Sequence, residues 1–163
     1  MTRVEEFRDW WLAKGRPWRI PFDKPIHVTD IAYALCLYRE KKFQVELYIC
    51  KADTQTPSHK HPNVESVTMY LAGNLEFAKP DGEFADLSQY QKAKENGTHM
   101  LLGKGIEAND GSKPHALRIG KEGGAFLIFE HWKDREPTSV TTHWEGDLTG
   151  ELHAKTLENA HVV

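Results

Sequence analysis

The sequence lacks several features that mark common classes of protein. No apolar stretch reaches the roughly 18 residues that are needed to span a bilayer, and no run of lysine or arginine alternates with aromatic residues, as in many nucleic-acid-binding proteins. The net charge is only -3, and the charged N-terminal stretch has no apolar segment of the kind found in secretory signals. We therefore expect a cytoplasmic protein that binds neither nucleic acid nor membrane.

Cysteine is also scarce, with only Cys36 and Cys50 among the 163 residues. Both fall on predicted strands that are joined by a turn at Lys41 and Lys42. A turn with these two central residues would pair Cys36 with Leu47 instead of Cys50. We therefore expect no disulfide and two free, buried thiols.

The N-terminal segment has the signals of a short helix. Thr2 and Glu5 have the spacing of a capping box, and Phe7 and Trp11 then fall on one helical face. These residues predict a helix over about residues 2–15. We expect its aromatic face to pack on the body of the domain, with a subunit contact as the alternative.

A series of short strands follows in the middle of the chain. Hydrophobic residues there alternate with a period of two, and turn signals such as Gly73-Asn74 and Gly123-Gly124 separate the segments. Many short strands at close spacing favour an all-β sandwich or barrel over about residues 26–135. The predicted strands are IAYALCLYR, FQVELYIC, VESVTMYL, NLEFA, HMLLGKGIE, HALRI and GAFLIFEHW.

The remaining segments complete the single domain that we expect over residues 1–163. Asp86 to Lys94 can form one or two helical turns, and the sequence leaves open whether residues 86–97 act as a lid. Residues 138–163 hold one predicted strand, SVTTHW, followed by a weakly patterned tail. The strand IAYALCLYR is apolar on both faces, which fits either a dimer contact or burial under the N-terminal helix. We expect a homodimer.

Two histidines and a glutamate stand close together before an apolar strand. On a strand, residues i and i+2 point to the same side about 6.5 to 7 Å apart, so His59 and His61 can direct both imidazoles at one point. Glu65 shares its strand side with apolar Val67 and Met69, and a carboxylate that faces a core needs a partner such as a metal ion. A turn between His61 and Glu65 would let the three side chains converge.

The segment SHKHPNVESVTMYLAG resembles the first motif of the cupin superfamily, in which H-x-H is followed by a glutamate and then a glycine. Gly73 comes one residue later than in that motif, and Asp53 stands at the place of the leading glycine. The segment NDGSKPH is similar to the second motif, which contributes a histidine. The resemblance covers about residues 26–135 and implies a double-stranded β-helix, or jelly-roll, barrel. It also implies that the metal ligands are His59, His61, Glu65 and His115.

The sequence context of His115 supports an inward position. His115 shares its strand side with apolar Leu117 and Ile119, so it needs a buried partner, and a core histidine bonded to a backbone carbonyl is the alternative to a ligand. His131 and Tyr48 are candidates for proton transfer near the metal. For His131, a structural core histidine is again the alternative.

Three imidazoles and one carboxylate leave a divalent ion with open positions for an anionic or bidentate oxygen ligand. We expect iron, with manganese, nickel, copper or zinc as alternatives. The first hypothesis is a dioxygenase or related oxidoreductase that acts on a small, metal-chelating organic substrate. Arg39 and Arg118 could orient such a substrate, although both are more often solvated surface groups. The alternatives are a metal-dependent isomerase or lyase of a small carbonyl or carboxylate compound, and a small-molecule-binding protein without turnover.

Overall fold

The computed structural model describes residues 2–17, 26–28, 31–56, 59–60, 64–78, 84–88, 108–109, 116–133, 145–146 and 161–162. In these ranges the chain forms one α-helix and eleven β-strands, and no helix there has the length and apolar character to cross a membrane. The elements are α1 (Arg3–Ala13), β1 (Ile26–Val28), β2 (Ala32–Glu40), β3 (Phe43–Cys50), β4 (Thr54–Gln55), β5 (His59–Lys60), β6 (Val64–Ala78), β7 (Phe84–Asp86), β8 (Ala108–Asn109), β9 (Leu117–Trp132), β10 (Glu145–Gly146) and β11 (His161–Val162).

Helix α1 begins at the capping box that the sequence predicts. The Thr2 backbone N–H donates to Glu5 Oε2 at 2.6 Å, and the Glu5 N–H donates to Thr2 Oγ1 at 3.4 Å. Val4, Phe7 and Trp11 are buried on one side of the helix, as the helical period requires. The predicted helix and the packing of its aromatic face on the strands are confirmed.

Two long strands, β6 and β9, run through the whole of one nine-stranded antiparallel sheet, which folds into two layers. We call the layer that contains residues 64–72 of β6 the first sheet, and the layer that contains residues 75–77 of β6 the second sheet. Residues 64–72 of β6 pair with residues 125–132 of β9, and this part is flanked by β8 on one side and by β3, β2, β1 and β11 on the other. Residues 75–77 of β6 pair with residues 117–119 of β9, flanked by β7 and β4. All of these pairs are antiparallel. The orders β3-β9-β6-β8 and β4-β9-β6-β7 are those of a jelly roll, so the expected all-β fold class is confirmed.

The two long strands bend together at facing glycines. Gly73 lies opposite Gly124, and Gly73 and Gly123 have φ angles of 87° and 67°, which glycine adopts without strain. A Cβ atom on Gly73 would lie 2.3 Å from the Gly123 carbonyl oxygen. The predicted strand-ending turns at Gly73-Asn74 and Gly123-Gly124 are therefore wrong. Both sites are bends inside continuous strands, because they carry the chain from one sheet to the other without reversing it.

Both cysteines are free and buried, as expected. The hairpin between β2 and β3 has the predicted two-residue turn, but Cys36 is paired with Glu46 and not with Leu47. The predicted register is wrong here because a bulge between Cys36 and Tyr38 adds one residue to β2. Cys50 lies at the far end of β3, so the absence of a disulfide does not depend on this shift.

The apolar residues form two clusters on opposite sides of the first sheet. The inter-sheet cluster takes residues from both sheets, so it lies between them. The helix-side cluster lies under α1 and includes Leu37 and Tyr38 of β2, so the predicted burial of β2 under the helix is confirmed. The helix-side cluster comprises Val4, Phe7, Trp11, Leu37, Tyr38, Val45, Val67, Leu127 and Phe129. The inter-sheet cluster comprises Ala32, Cys50, Leu75, Phe77, Leu87, Leu117, Ile119 and Phe126.

Several predicted elements lie partly or wholly outside the described residues. Asp86 precedes the start of a helical turn, and its Oδ1 accepts from the Ser88 N–H at 2.9 Å, but the rest of the segment 86–97 falls outside them. The predicted strands HMLLGKGIE and SVTTHW also fall outside. Within residues 138–163, β10 pairs with β5 and β11 pairs with β1. The single-domain organisation stays a prediction.

Candidate metal site and inter-sheet polar network

The four predicted metal ligands are only partly within the described residues. His59 lies on β5, where it is paired with Gly146 of β10, and Glu65 is the second residue of β6. His61 and His115 lie outside the described residues. In the part of the chain that the structure describes, no group of three His, Cys, Asp or Glu side chains is arranged to hold a metal ion. The set of four ligands therefore stays a prediction.

Glu65 contacts a histidine of the neighbouring strand. The register of β6 and β9 places it opposite His131, and His131 Nδ1 lies 3.3 Å from Glu65 Oε2. The His131 side chain is 8% exposed and that of Glu65 is 29% exposed. The Phe43 ring stacks on the imidazole with the ring centroids 4.8 Å apart. The carboxylate and the imidazole therefore have defined positions at the end of the sheet where β6 begins and β9 ends.

Glu65 lies on the side of the sheet that helix α1 covers. Val67 is buried in the helix-side cluster and Met69 packs against it, so the predicted apolar side of this strand is confirmed for these two residues. Ser66 and Thr68 alternate with them and are buried toward the other side. The core next to Glu65 is thus the one under α1 and not the space between the two sheets.

A second group of polar side chains lies on the side that faces the other sheet. Gln44 Nε2 donates to Glu46 Oε1 at 2.5 Å and to Glu130 Oε2 at 3.1 Å. Arg39 Nε donates to Gln44 Oε1 at 2.6 Å, and Arg39 Nη2 donates to the same oxygen. Tyr48 Oη donates to Glu46 Oε2 at 3.0 Å. We call these five residues the inter-sheet polar network.

Burial away from solvent is the largest cause of the pKa shifts in this network. Burial raises the pKa of Glu46 well above its usual range, and the charge of Glu130 raises it further. Burial also raises the pKa of Glu130, although Arg39 and two hydrogen-bond donors oppose this rise. The pKa of Tyr48 is raised by burial and then by the charge of Glu46. The folded protein therefore keeps protons on this network at pH values where free carboxyl groups have lost them.

Tyr48 and His131, the two predicted proton-transfer residues, lie on opposite sides of the same sheet. His131 shares its side with Leu127 and Phe129 of the helix-side cluster, whereas Tyr48 packs against the inter-sheet cluster. Only His131 is in contact with Glu65. If Glu65 binds a metal, His131 and not Tyr48 is the group that can act beside it.

The two predicted substrate-orienting arginines have different surroundings. Arg39 is only 8% exposed, so the expectation of a solvated surface group is wrong for this residue. Its guanidinium lies on the inner side of the sheet because it binds the Gln44 amide. Arg118 is exposed, forms an ion pair with Glu76 at 2.6 Å and lies over the Phe84 ring. The expectation of a surface group is confirmed for Arg118.

The inter-sheet polar network is not found by sequence reasoning, although one signal for it exists. Alternation on β3 places Gln44, Glu46 and Tyr48 on one side and Val45 and Leu47 on the other. Such a strand usually turns its polar side to water. Here α1 covers the apolar side, so the polar side faces the second sheet. The signal is the aromatic face of the N-terminal helix. This face indicates that the helix covers the apolar side of a strand such as β3, which leaves the polar side to face the rest of the protein.

The comparisons with known proteins bear on the fold. No protein family model matches the chain, and no curated protein matches it significantly. Among solved structures, the chain is similar to an RmlC-like cupin protein from Desulfovibrio desulfuricans, at 15% identity and a TM-score of 0.43, over 62% of this chain and 82% of that one. It is also similar to the DMSP lyase DddQ from Ruegeria pomeroyi, at 21% identity and a TM-score of 0.45, over 91% and 66%.

A third similar structure is an oxalate decarboxylase from Bacillus subtilis that is described with Mn(II) centres. The identity is 14% and the TM-score 0.47, over 74% of this chain and 30% of that one, so the chain spans about a third of its length. These three neighbours are a cupin protein, a lyase and a decarboxylase, and none of them is named as a dioxygenase. At these identities the likeness concerns the fold alone.

Proposed function

We propose that this chain, which has the jelly-roll fold of the cupin superfamily, is a metal-dependent enzyme that acts on a small organic molecule with anionic or paired oxygen atoms. The proposed ligands of the metal are His59, His61, Glu65 and His115. This donor set of three imidazoles and one carboxylate suits a divalent transition metal. Such an ion would supply Lewis-acid chemistry to a substrate oxygen and, if it is iron, redox chemistry with dioxygen.

The observation that carries the proposal is the contact between Glu65 and His131. A half-buried carboxylate beside a core usually has a cation or hydrogen-bond donors as partners. His131 Nδ1 is such a donor for one oxygen of Glu65, at 3.3 Å, and leaves the other oxygen for a further partner. Carboxylates that bind metals are commonly oriented by a hydrogen bond of this kind. Stacking of Phe43 on the imidazole limits its rotation, which keeps the carboxylate in one orientation.

A dioxygenase or related oxidoreductase is the reaction that we propose first. Its chelating substrate would need two adjacent oxygen atoms, as in a hydroxy acid or an enediol. The role of His131 in this reaction is to hold Glu65 through Nδ1, and to accept or supply a proton at its other ring nitrogen, Nε2. Oxygen consumption by the Fe(II)-loaded protein with a panel of such compounds is the direct measurement.

The second candidate is an isomerase or lyase, and the position of His131 favours it. An imidazole next to the proposed metal ligand can transfer a proton to or from a substrate without any oxidant. Product formation without oxygen would identify this class. Tight binding of a compound without turnover, in air or under nitrogen, would instead identify a binding protein.

Metal analysis is the experiment that tests the common premise. Protein purified without added metal should contain close to one equivalent of a divalent transition metal, and the variants His61→Ala and Glu65→Ala should lose most of it. The variant His27→Ala is a matched control, because it removes an imidazole from β1 that is not part of the proposed set. Equal trace metal in all four proteins would refute the site, whatever the reaction.

A further inference from the structure

The inter-sheet polar network brings two buried carboxyl groups to a single amide. Glu46 Oε1 and Glu130 Oε2 lie 2.5 Å and 3.1 Å from the same atom, Gln44 Nε2. The two oxygen atoms are therefore at most about 5.6 Å apart. Glu46 is 0% and Glu130 1% exposed. Two carboxylates this close and this well shielded from water do not ionise independently.

The orientation of the amide follows from Arg39. A guanidinium group has donors and no acceptor, and Arg39 Nε donates to Gln44 Oε1 at 2.6 Å. The Gln44 nitrogen is therefore turned toward the two carboxyl groups and gives each of them one hydrogen bond. Both oxygens of Glu46 thus accept a hydrogen bond, one from this amide and one from the Tyr48 hydroxyl group, and these bonds favour an ionised carboxylate at Glu46.

The charge on the network does not favour two ionised carboxylates. Arg39 of β2 is the cation that acts on them, and the other titratable groups that face them are the thiol of Cys36 and the phenol of Tyr48. From β6, Ser66 and Thr68 contribute hydroxyl groups to this side of the sheet. Among the described residues, one positive charge thus faces two carboxyl groups, and the neutral state of the whole group has one proton on the pair.

We infer that Glu46 and Glu130 hold one proton between them around neutral pH, and that Tyr48 is the route by which this proton reaches the space between the two sheets. Tyr48 Oη donates to Glu46 Oε2 at 3.0 Å, so the phenol is a titratable group that is hydrogen-bonded directly to the pair. Its ring is stacked on Phe126 with the planes 1° apart. The hydroxyl group is therefore held toward Glu46 by packing as well as by its hydrogen bond.

The transfer itself is balanced without an oxidant or a metal. When a donor in the space between the sheets gives a proton to Tyr48 Oη, the original phenol proton moves to Glu46 Oε2. One O–H bond forms and one breaks at the phenol, and the carboxyl pair gains one proton. The reverse sequence returns the proton. A molecule with a weakly acidic O–H group, or with a C–H group next to a carbonyl, has the chemistry to use such a group.

This inference goes beyond the proposed metal-dependent function, because the network and Glu65 lie on opposite sides of the sheet. Its test therefore needs neither metal nor substrate. Protein labelled with ¹³C at the glutamate side-chain carboxyl carbon is titrated by NMR, and Glu46→Gln and Glu130→Gln assign the two signals. We expect one titration step far above the normal glutamate range in the wild type. That step should move down by about one pH unit or more in Glu130→Gln, because the repulsion from the second carboxylate is gone.

Two NMR results would refute the inference that Glu46 and Glu130 share one proton. One is a wild type in which both carboxyl groups titrate at ordinary values. The other is a Glu46 titration that is unchanged in Glu130→Gln. The exposed Glu122 serves as the matched control, since Glu122→Gln should leave both signals where they are. If the Gln variants fail to fold, the wild-type titration alone still decides the first point.

The role of Tyr48 is tested by infrared spectroscopy of the protonated carboxyl group. On transfer from H₂O to ²H₂O at neutral pH, the C=O band of the wild type should shift quickly as the shared proton exchanges. Tyr48→Phe should lose this rapid exchange but keep the band, because the carboxyl pair remains. Tyr33→Phe, which alters a phenol that is 46% exposed, should exchange like the wild type. Equally fast exchange in Tyr48→Phe would show that the proton does not pass through this residue.

Discussion

Replacing Glu130 by glutamine should change how the stability of the protein depends on pH. Glutamine has nearly the same shape and no titratable group, so the substitution removes one buried titratable group and little packing. In the folded protein, burial raises the pKa of the Glu130 carboxyl group above its usual range. A group whose pKa is higher in the folded state stabilises the fold fully below its unfolded value, and this stability is lost as the pH rises through the folded value.

The size of the effect can be estimated in two ways. One proton that is bound in the folded state but not in the unfolded state changes the free energy of unfolding by about 1.4 kcal/mol for each pH unit. Independently, two unit charges at most about 5.6 Å apart repel each other by at least about 3 kcal/mol at an effective dielectric constant near 20. This repulsion alone corresponds to about two pH units. Both estimates place the change for Glu130 at a few kcal/mol between pH 5 and pH 8.

The assay is urea unfolding followed by tryptophan fluorescence at pH 5, 6, 7 and 8. The wild type should lose stability over this range, and Glu130→Gln should lose less, by roughly 3 kcal/mol at pH 8 relative to pH 5. The exposed control Glu122→Gln should follow the wild type. Parallel curves for the wild type and Glu130→Gln would refute the reasoning, because they would mean that this carboxyl group has the same proton affinity in both states.

Three further predictions concern the fold and are all measured by urea unfolding. Gly73→Ala should prevent cooperative folding or cost several kcal/mol, since its Cβ would lie 2.3 Å from a backbone oxygen. Gly15→Ala, with no atom within 4 Å of its Cβ, should cost only about 1 kcal/mol. Similar costs for the two variants would contradict the close approach at Gly73. Phe129→Ala should cost about 3 to 5 kcal/mol because Phe129 is 0% exposed, and Ile49→Ala, at a position that is 51% exposed, should cost far less. Thr2→Ala should cost about 1 kcal/mol by loss of the cap, and an unchanged unfolding midpoint would show that the capping box does not contribute.

The sequence was sufficient for the class of fold and for most local elements. The two-residue period predicts the strands, because a strand between a core and a second surface must alternate its side chains. The capping box and the aromatic face predict α1 for equally local reasons. Each of these patterns depends on only a few neighbouring residues, so the helix and the strands can be predicted without knowledge of the fold.

The predictions from sequence are wrong where the local structure depends on distant parts of the chain. Gly73-Asn74 has the composition of a turn, but Gly73 bends a continuous strand because the facing strand has a glycine at the same level. The pairing of Cys36 is shifted by a bulge that the sequence does not mark. Arg39 is buried because a partner amide lies on the adjacent strand. Each of these effects depends on how strands pair with one another. The hydrophobic period of a single segment carries no information about that pairing.

The same limit applies to the candidate site. Sequence reasoning finds Glu65 and His131 as polar residues on apolar strand sides, and the structure brings these two into contact. It does not find Glu46 and Glu130, because a polar strand side is normally a solvated one. Two layers cover the first sheet, the helix on one side and the second sheet on the other. Parity assigns residues to sides of a strand, but it does not say which layer covers each side.

The passage of β6 and β9 through both sheets restricts how the barrel can open. The two sheets share two continuous strands, which pass from one sheet to the other at the glycine bend. The sheets therefore cannot move apart as independent rigid units. Separation would require unpairing β6 from β9 over the length that holds the first sheet together. A motion that widens the space between the sheets would therefore start at strands that belong to one sheet alone, away from β6 and β9.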